Sequence, residues 1–243
     1  MSLNTALTQW QPHLKDPVLR RLQPKGMPIL FEDEGLEMGE SSLHSRSTDI
    51  LLYGVEFHLG QRSPLRVFDN LNLYYSTDDP EAYVSPDLLV VKPRRKLPAN
   101  VTSYRIGKDG PAPLLLGEVL SIRTYQEGDL TNKPVLYASL GVEEFLLADA
   151  SGELLRQKLL LLRLKPDGHW SDEQDADGGI TSRLGFRVII EEDGQLRVLD
   201  AKTGRRYPRP SEAAELERRL REAQRELSQL RNQPKPSKPK KRK

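Results

Sequence analysis

Two apolar runs constrain this chain more than any other feature, because each carries one carboxylate where a buried strand should carry none. The first is Pro86-Asp87-Leu88-Leu89-Val90-Val91, the second Leu114-Leu115-Leu116-Gly117-Glu118-Val119-Leu120-Ser121. Short apolar, β-prone runs of this kind predict buried strands. An ionised carboxylate is costly to bury unless a cation or hydrogen bonds satisfy it. Asp87 opens its run and Glu118 sits inside its own, so both require a partner. A divalent metal fits the need, since hard cations such as Mg²⁺ take oxygen ligands from one or two carboxylates and from substrate phosphate. With a lysine nearby, the set is that of metal-dependent phosphodiester hydrolysis. There the metal polarises the phosphate and lowers the pKa of a water, and the lysine steadies the attacking hydroxide or the developing negative charge.

The segment Asp129-Leu130-Thr131-Asn132-Lys133-Pro134-Val135-Leu136-Tyr137 offers that lysine. Asp129 or Thr131 can cap a helix, Pro134 fits only its first turn, and Gly141 fits just past its end. Lys133 is thereby placed near the positive end of the helix dipole, where a cation is mildly disfavoured. A nearby anion explains it better than helix stability does. The other reading is that Asp129 and Lys133, four apart, form a solvated helical pair.

Taken together, Pro86-Asp87 with its apolar strand, Glu118-Val119-Leu120-Ser121, the Asp129, Lys133, Tyr137 ladder and Leu140-Gly141-Val142-Glu143-Glu144-Phe145 make residues 38 to about 205 resemble the Uma-two family. That family belongs to the PD-(D/E)xK nuclease superfamily of restriction-endonuclease-like proteins. The superfamily's usual lysine position, two after the acidic residue, is Leu120 here. The resemblance implies that the lysine comes from the following helix, at Lys133. It further implies a Mg²⁺ or Mn²⁺ site on Asp87 and Glu118, with the Val119 carbonyl as a further ligand. Asp129 and Tyr137 would support the lysine. An acidic residue or histidine on the first helix approaches the site in this family, which makes Glu40 and His44 candidates; a solvated first turn is the alternative reading for both.

Composition limits the rest. The chain has no cysteine, which excludes disulfides, thiolate zinc sites and cysteine nucleophiles. No apolar run approaches the ~20 residues that cross a bilayer, and Met1 to Gln11 lacks a signal-peptide pattern, so a cytoplasmic protein is expected. Net charge is +2, but seven of the bases, Arg231 to Lys243, stand at the end without an acid, which leaves −5 for residues 1 to 230. A DNA-binding body usually shows a basic face, and net charge cannot locate one.

In order, residues 1–34 read as a proline-interrupted arm. Leu43, Ile50, Leu51, Val55, Phe57 and Leu59 predict a helix ending at Gly60. Val67-Phe68 and Leu71 to Tyr75 predict strands, and residues 92–113 a long irregular connection in which Arg94, Arg95, Lys96 and Arg105 either meet phosphate or are simply solvated. Strand, helix and strand in succession from Leu114 to Ala148 predict a right-handed crossover to a parallel neighbour. Beyond residue 150 the pattern is of hairpins: a strand over Leu154–Leu164, a turn at Asp167-Gly168 with His169 and Trp170 at its rim, an acidic loop (Asp172, Glu173, Asp175, Asp177) expected to be solvated, and two strands about Asp193-Gly194. Leu216, Leu220, Ala223, Leu227 and Leu230 keep a seven-residue repeat, a short coiled coil, and residues 233–243 read as a basic disordered tail.

The expectation is an α/β protein: a restriction-endonuclease-like mixed sheet with helices and a β-hairpin extension over residues 35–205, then a coiled-coil helix over 206–232. Its function would be metal-dependent hydrolysis of DNA, with Asp87, Glu118 and Lys133 as the centre. The competing expectation is an inactive DNA-binding or assembly module of the same fold. DNA is the expected partner, no membrane is, and a homodimer through the main domain or the terminal helix is left open.

Overall fold

The computed structural model describes residues 42–60, 64–76, 79–98, 100–121 and 125–232. The expected N-terminal arm, Glu40 and the basic tail lie outside them. Contacts divide the chain into a unit ending at Tyr207 and a second unit beginning at Pro208.

The first unit opens with helix α1 (Ser42–Leu59), followed by strands β1 (Arg66–Phe68), β2 (Asn72–Tyr74), β3 (Tyr83–Val84), β4 (Leu88–Val91), β5 (Ser103–Arg105) and β6 (Leu115–Val119). A wide-turned helical stretch, Tyr125–Asn132, runs into helix α2 (Lys133–Leu140). Then come β7 (Glu144–Ala148), β8 (Leu159–Leu164), β9 (Trp170–Asp172), β10 (Ile180–Thr181), β11 (Phe186–Ile190) and β12 (Leu196–Asp200). The main sheet has the order β1-β4-β6-β7-β8-β9. Only β6 and β7 in it run parallel, joined through α2; every other pair is antiparallel. This is the expected mixed α/β sheet.

Both faces of that sheet are covered, which is why its strands read as continuous apolar runs. On one face Leu89, Val91, Leu116, Phe145 and Leu147 pack against Leu136 and Tyr137 of α2 and against Leu73, Val84 and Tyr104 of a three-stranded sheet ordered β3-β2-β5. On the other face Leu88, Val90, Leu115, Val119, Leu146 and Leu161 meet Ile50, Leu51, Val55 and Leu59 of α1 and the β10-β11-β12 meander. Helix α1 lies close on β12, because a Cβ added at Gly54 would come within 2.5 Å of the Val198 side chain. Gly54→Ala is therefore expected to destabilise the protein by about 1–3 kcal/mol through overpacking, despite alanine's better helix propensity. Urea unfolding measures this; a stabilised variant would mean that the helix can shift outward.

Four expectations need correction. The connection over residues 92–113 is not wholly irregular, since β5 pairs parallel with β2. The strand expected from Leu154 begins only at Leu159, because the Asp149 carboxylate binds the backbone N–H groups of Gly152, Leu154 and Leu155 and holds that stretch in turns. Trp170 is core rather than rim. In the acidic loop, Asp175 and Asp177 are bridged by Arg187 instead of being merely solvated. The Asp193-Gly194 hairpin is as expected, with β11 and β12 antiparallel around it.

The second unit's described element is a 23-residue helix, α3 (Pro210–Asn232). Among the described residues no helix is long and apolar enough to cross a membrane.

Candidate active site

Register brings the two carboxylates together. Leu88 pairs with Gly117 across the antiparallel β4–β6 ladder, so one step further Asp87 comes opposite Glu118. Side chains alternate along a strand. Glu118 therefore shares the face of Leu116 and Leu120 and points toward α2, while Val119 turns its side chain to the α1 face. Any part Val119 has as a ligand is thus confined to its main-chain oxygen. Its N–H donates to Asp87 Oδ2 at 2.7 Å, which locks the aspartate to the end of β6.

Helix α2 supplies the cation. Lys133 Nζ lies 2.8 Å from Glu118 Oε2 and 2.7 Å from Asp129 Oδ1, and the Tyr137 hydroxyl donates to Glu118 Oε1 at 2.8 Å. The i, i+4 spacing stacks Asp129, Lys133 and Tyr137 on one helix face. The Asp129–Lys133 pair is not the solvated one the spacing alone allowed: Asp129 is 1% and Glu118 2% exposed. Nor do Asp129 or Thr131 cap a helix. Asn132 is itself in helical conformation, and the helical path begins at Tyr125, so Lys133 lies inside it rather than at its positive end. The reason is Pro134: in a helix interior proline clashes with the carbonyl four residues back, and the wider preceding turns let the chain stay helical through it. Such wide turns occur often at functional sites. The other end is as expected, with Gly141 left-handed at φ 77° and its N–H donating to Ala138.

Charge and burial set the electrostatics. Burial pushes the Glu118 carboxyl up to about 8; Lys133 pulls it down while Asp87 and Asp129 push it up further. Burial works against the Lys133 ammonium, yet the Glu118 and Asp129 carboxylates outweigh it and hold the lysine's pKa above its usual value. Burial, then the Glu118 carboxylate, keeps the Tyr137 phenol protonated far above its ordinary range. Lys133 is therefore a fixed positive charge, unsuited to act as a base, and Tyr137 a fixed donor.

His44, in the first turn of α1, reaches the same place from the opposite layer, with Nε2 3.4 Å from Asp87 Oδ1. Glu40 lies outside the described residues.

With all three carboxylates ionised and His44 neutral the cluster would carry −2, which one divalent cation would neutralise; near neutral pH, with the Glu118 carboxyl pushed up to about 8, that charge is reached only if the cation displaces the Glu118 proton. Among the described residues no three His, Asp or Glu side chains are arranged to hold an ion by themselves. Asp87 and Glu118 face each other at the strand ends and offer two carboxylates. An all-oxygen pair of this kind suits Mg²⁺ or Mn²⁺, which complete their shells with water and phosphate.

Sequence reasoning missed Trp170. Its indole N–H donates to the Pro134 carbonyl at 3.0 Å, one residue from Lys133, and its ring stands 6.4 Å from Phe145, which meets Tyr137 edge-on. Nothing in the local sequence signals this contact, since 36 residues separate the two ends. Trp170→Phe is expected to cost about 1–3 kcal/mol through the carbonyl left without its donor. A thermal melt tests it; an unchanged melting temperature would mean that the hydrogen bond contributes nothing to stability.

No curated protein matches the chain. A crystal structure described as that of a putative nuclease belonging to DUF820 from Anabaena variabilis is similar at 15% identity and a TM-score of 0.41, over 76% of this chain and 83% of that one. A family model described as "Putative restriction endonuclease" matches residues 20–190, well over half of the chain. By that match the protein belongs to the Uma2 family of putative restriction endonucleases.

Proposed function

We propose that this chain is a divalent-metal-dependent endonuclease that hydrolyses phosphodiester bonds in DNA. The observation that carries the reading is the meeting of Asp87, Glu118 and Lys133 at one end of the β4–β6 pair, with Lys133 Nζ 2.8 Å from Glu118. Asp87 and Glu118 would hold Mg²⁺ or Mn²⁺, with the Val119 carbonyl as a third donor. When bound, the ion supplies positive charge to the phosphate oxygens and acidifies water. The chain's own residues do the rest. Lysine has three N–H donors; Glu118 and Asp129 take two, and the third steadies the attacking oxygen or the charge that develops on phosphate. Tyr137 fixes the Glu118 rotamer, and His44 sits against Asp87 as a further donor to it. A cluster of net negative charge repels DNA on its own account, so the ion's positive charge favours substrate binding.

A second feature supports a nucleic-acid substrate. Tyr83, Tyr74 and Arg105 stand side by side on adjacent strands of the small sheet, four residues along the chain from Asp87 at the Tyr83 end. The two rings lie 5.2 Å apart, and the Arg105 guanidinium sits 5.3 Å from the Tyr74 ring. An aromatic row ending in a cation suits stacked bases and a phosphate. Tyr83→Ala is expected to weaken single-stranded oligonucleotide binding by about 1–3 kcal/mol, read by fluorescence anisotropy. Unaltered binding would remove this row from the interface.

Plasmid nicking with Mg²⁺ or Mn²⁺, by the wild type beside Asp87→Ala and Lys133→Ala, tests the whole reading. Loss in both variants supports it. Equal nicking in all three marks a contaminant and overturns it.

A further inference from the structure

We propose that helix α3 pairs antiparallel with the same helix of a second copy of this chain. Leu216, Leu220 and Leu227 are 51%, 58% and 61% exposed, on a helix whose other side chains between them are charged or polar apart from Ala223. Those four residues follow steps of four, three and four, so they form one stripe along the helix, with Leu220 and Leu227 at a and Leu216 and Ala223 at d of a heptad. Within the helix, Arg218 is clamped between Glu215 and Glu222, Arg219 also reaches Glu215, and Arg221 pairs with Glu217. The helix thus carries its own stabilising pairs and leaves its leucines to something else.

Charge and size choose the occupant and its direction. The flanking positions are Glu212, Arg219 and Glu226 at g, and Glu217, Gln224 and Arg231 at e. In a parallel pair, g faces e of the second copy: Glu212 would oppose Glu217 twice, Arg219 would meet only Gln224, and the Glu226–Arg231 attraction would merely offset the Glu212–Glu217 repulsion. Ala223 would also face Ala223, which leaves the layer underfilled. In an antiparallel pair centred between Leu220 and Ala223, g faces g and e faces e. Arg219 then meets Glu226 of the second copy twice, and Glu217 meets uncharged Gln224. The layers become Leu216 on Leu227 and Leu220 on Ala223, each small residue against a large one. Both counts favour the antiparallel pair. At 1.5 Å per residue its two helix starts would stand about 34 Å apart, which sets apart the points where the two main domains are attached. None of this depends on the nuclease reading.

Because the chain has no native cysteine, disulfide trapping in the full-length protein is clean. Residues 216 and 227 are about 16 Å apart along the axis. Mixing Leu216→Cys with Leu227→Cys protein should give a mixed disulfide dimer, and neither variant should cross-link with itself. Self-linking of Leu216→Cys would show a parallel pair and overturn the proposal. With the leucine stripe intact, Arg219→Glu should weaken self-association at least about tenfold, since two ion pairs become two repulsions, and Arg219→Glu with Glu226→Arg should restore it. Circular dichroism controls for helix loss. A wild-type chain that sediments as a monomer at about 100 µM also overturns it, whether the stripe then serves its own domain or another protein.

Discussion

Lys133→Met is expected to abolish DNA nicking and to cost the fold about 3–5 kcal/mol, the usual penalty when one partner of a buried ion pair is removed. Glu118 and Asp129 would be left facing each other without the ammonium that now binds both. The activity loss should reach at least about a hundredfold, the scale of removing a single donor aimed at developing charge. The two effects can be separated. Adding Asp129→Asn to Lys133→Met removes one of the stranded charges and should recover much of the stability, read as the urea midpoint, with no return of nicking. If nicking came back with stability, the lysine would be a structural counter-ion only.

Asp87→Asn is the second large effect, and it should spare the fold. An asparagine carbonyl can still accept the 2.7 Å bond from the Val119 N–H, so the melting temperature should stay within about 2–4 °C, equivalent to roughly 1 kcal/mol or less. Nicking should fall at least about a hundredfold, on the same scale of lost charge stabilisation, because a negative charge proposed to hold the ion is gone. Heat of Mn²⁺ binding without DNA, measured by titration calorimetry, should fall with it. A variant that binds Mn²⁺ and nicks as the wild type does would exclude Asp87 as a ligand. The paired result discriminates further: Lys133→Met should still bind Mn²⁺, and Asp87→Asn should not.

Much of the frame could be read before any coordinates. Asp87 and Glu118 stood out because a carboxylate in an apolar run is anomalous on chemical grounds alone. Gly141 marked the end of α2, and Asp193-Gly194 marked its hairpin, because each of those turns has a residue-specific backbone requirement. The start of α2 was not legible. Pro134 suggested a first turn, but the chain took the rarer course of widening the helix ahead of it, which depends on how that stretch packs rather than on propensity. Asp149 carries no such signal, since a carboxylate that gathers three backbone N–H groups has no fixed spacing to announce it.

Local chemistry therefore determined which groups this protein had to satisfy: two carboxylates in strands, one lysine near more acid, and a leucine stripe on a polar helix. It could not determine who satisfies them. That Glu118 takes both Lys133 and Tyr137, that Asp87 is tied to Val119 and approached by His44, and that Trp170 braces Pro134 were decided only when the sheet closed and brought distant segments to 2.7–3.4 Å of one another. Coulomb and hydrogen-bond energies fall off with distance in space, and spacing along the chain reports that distance only within a single helix or strand.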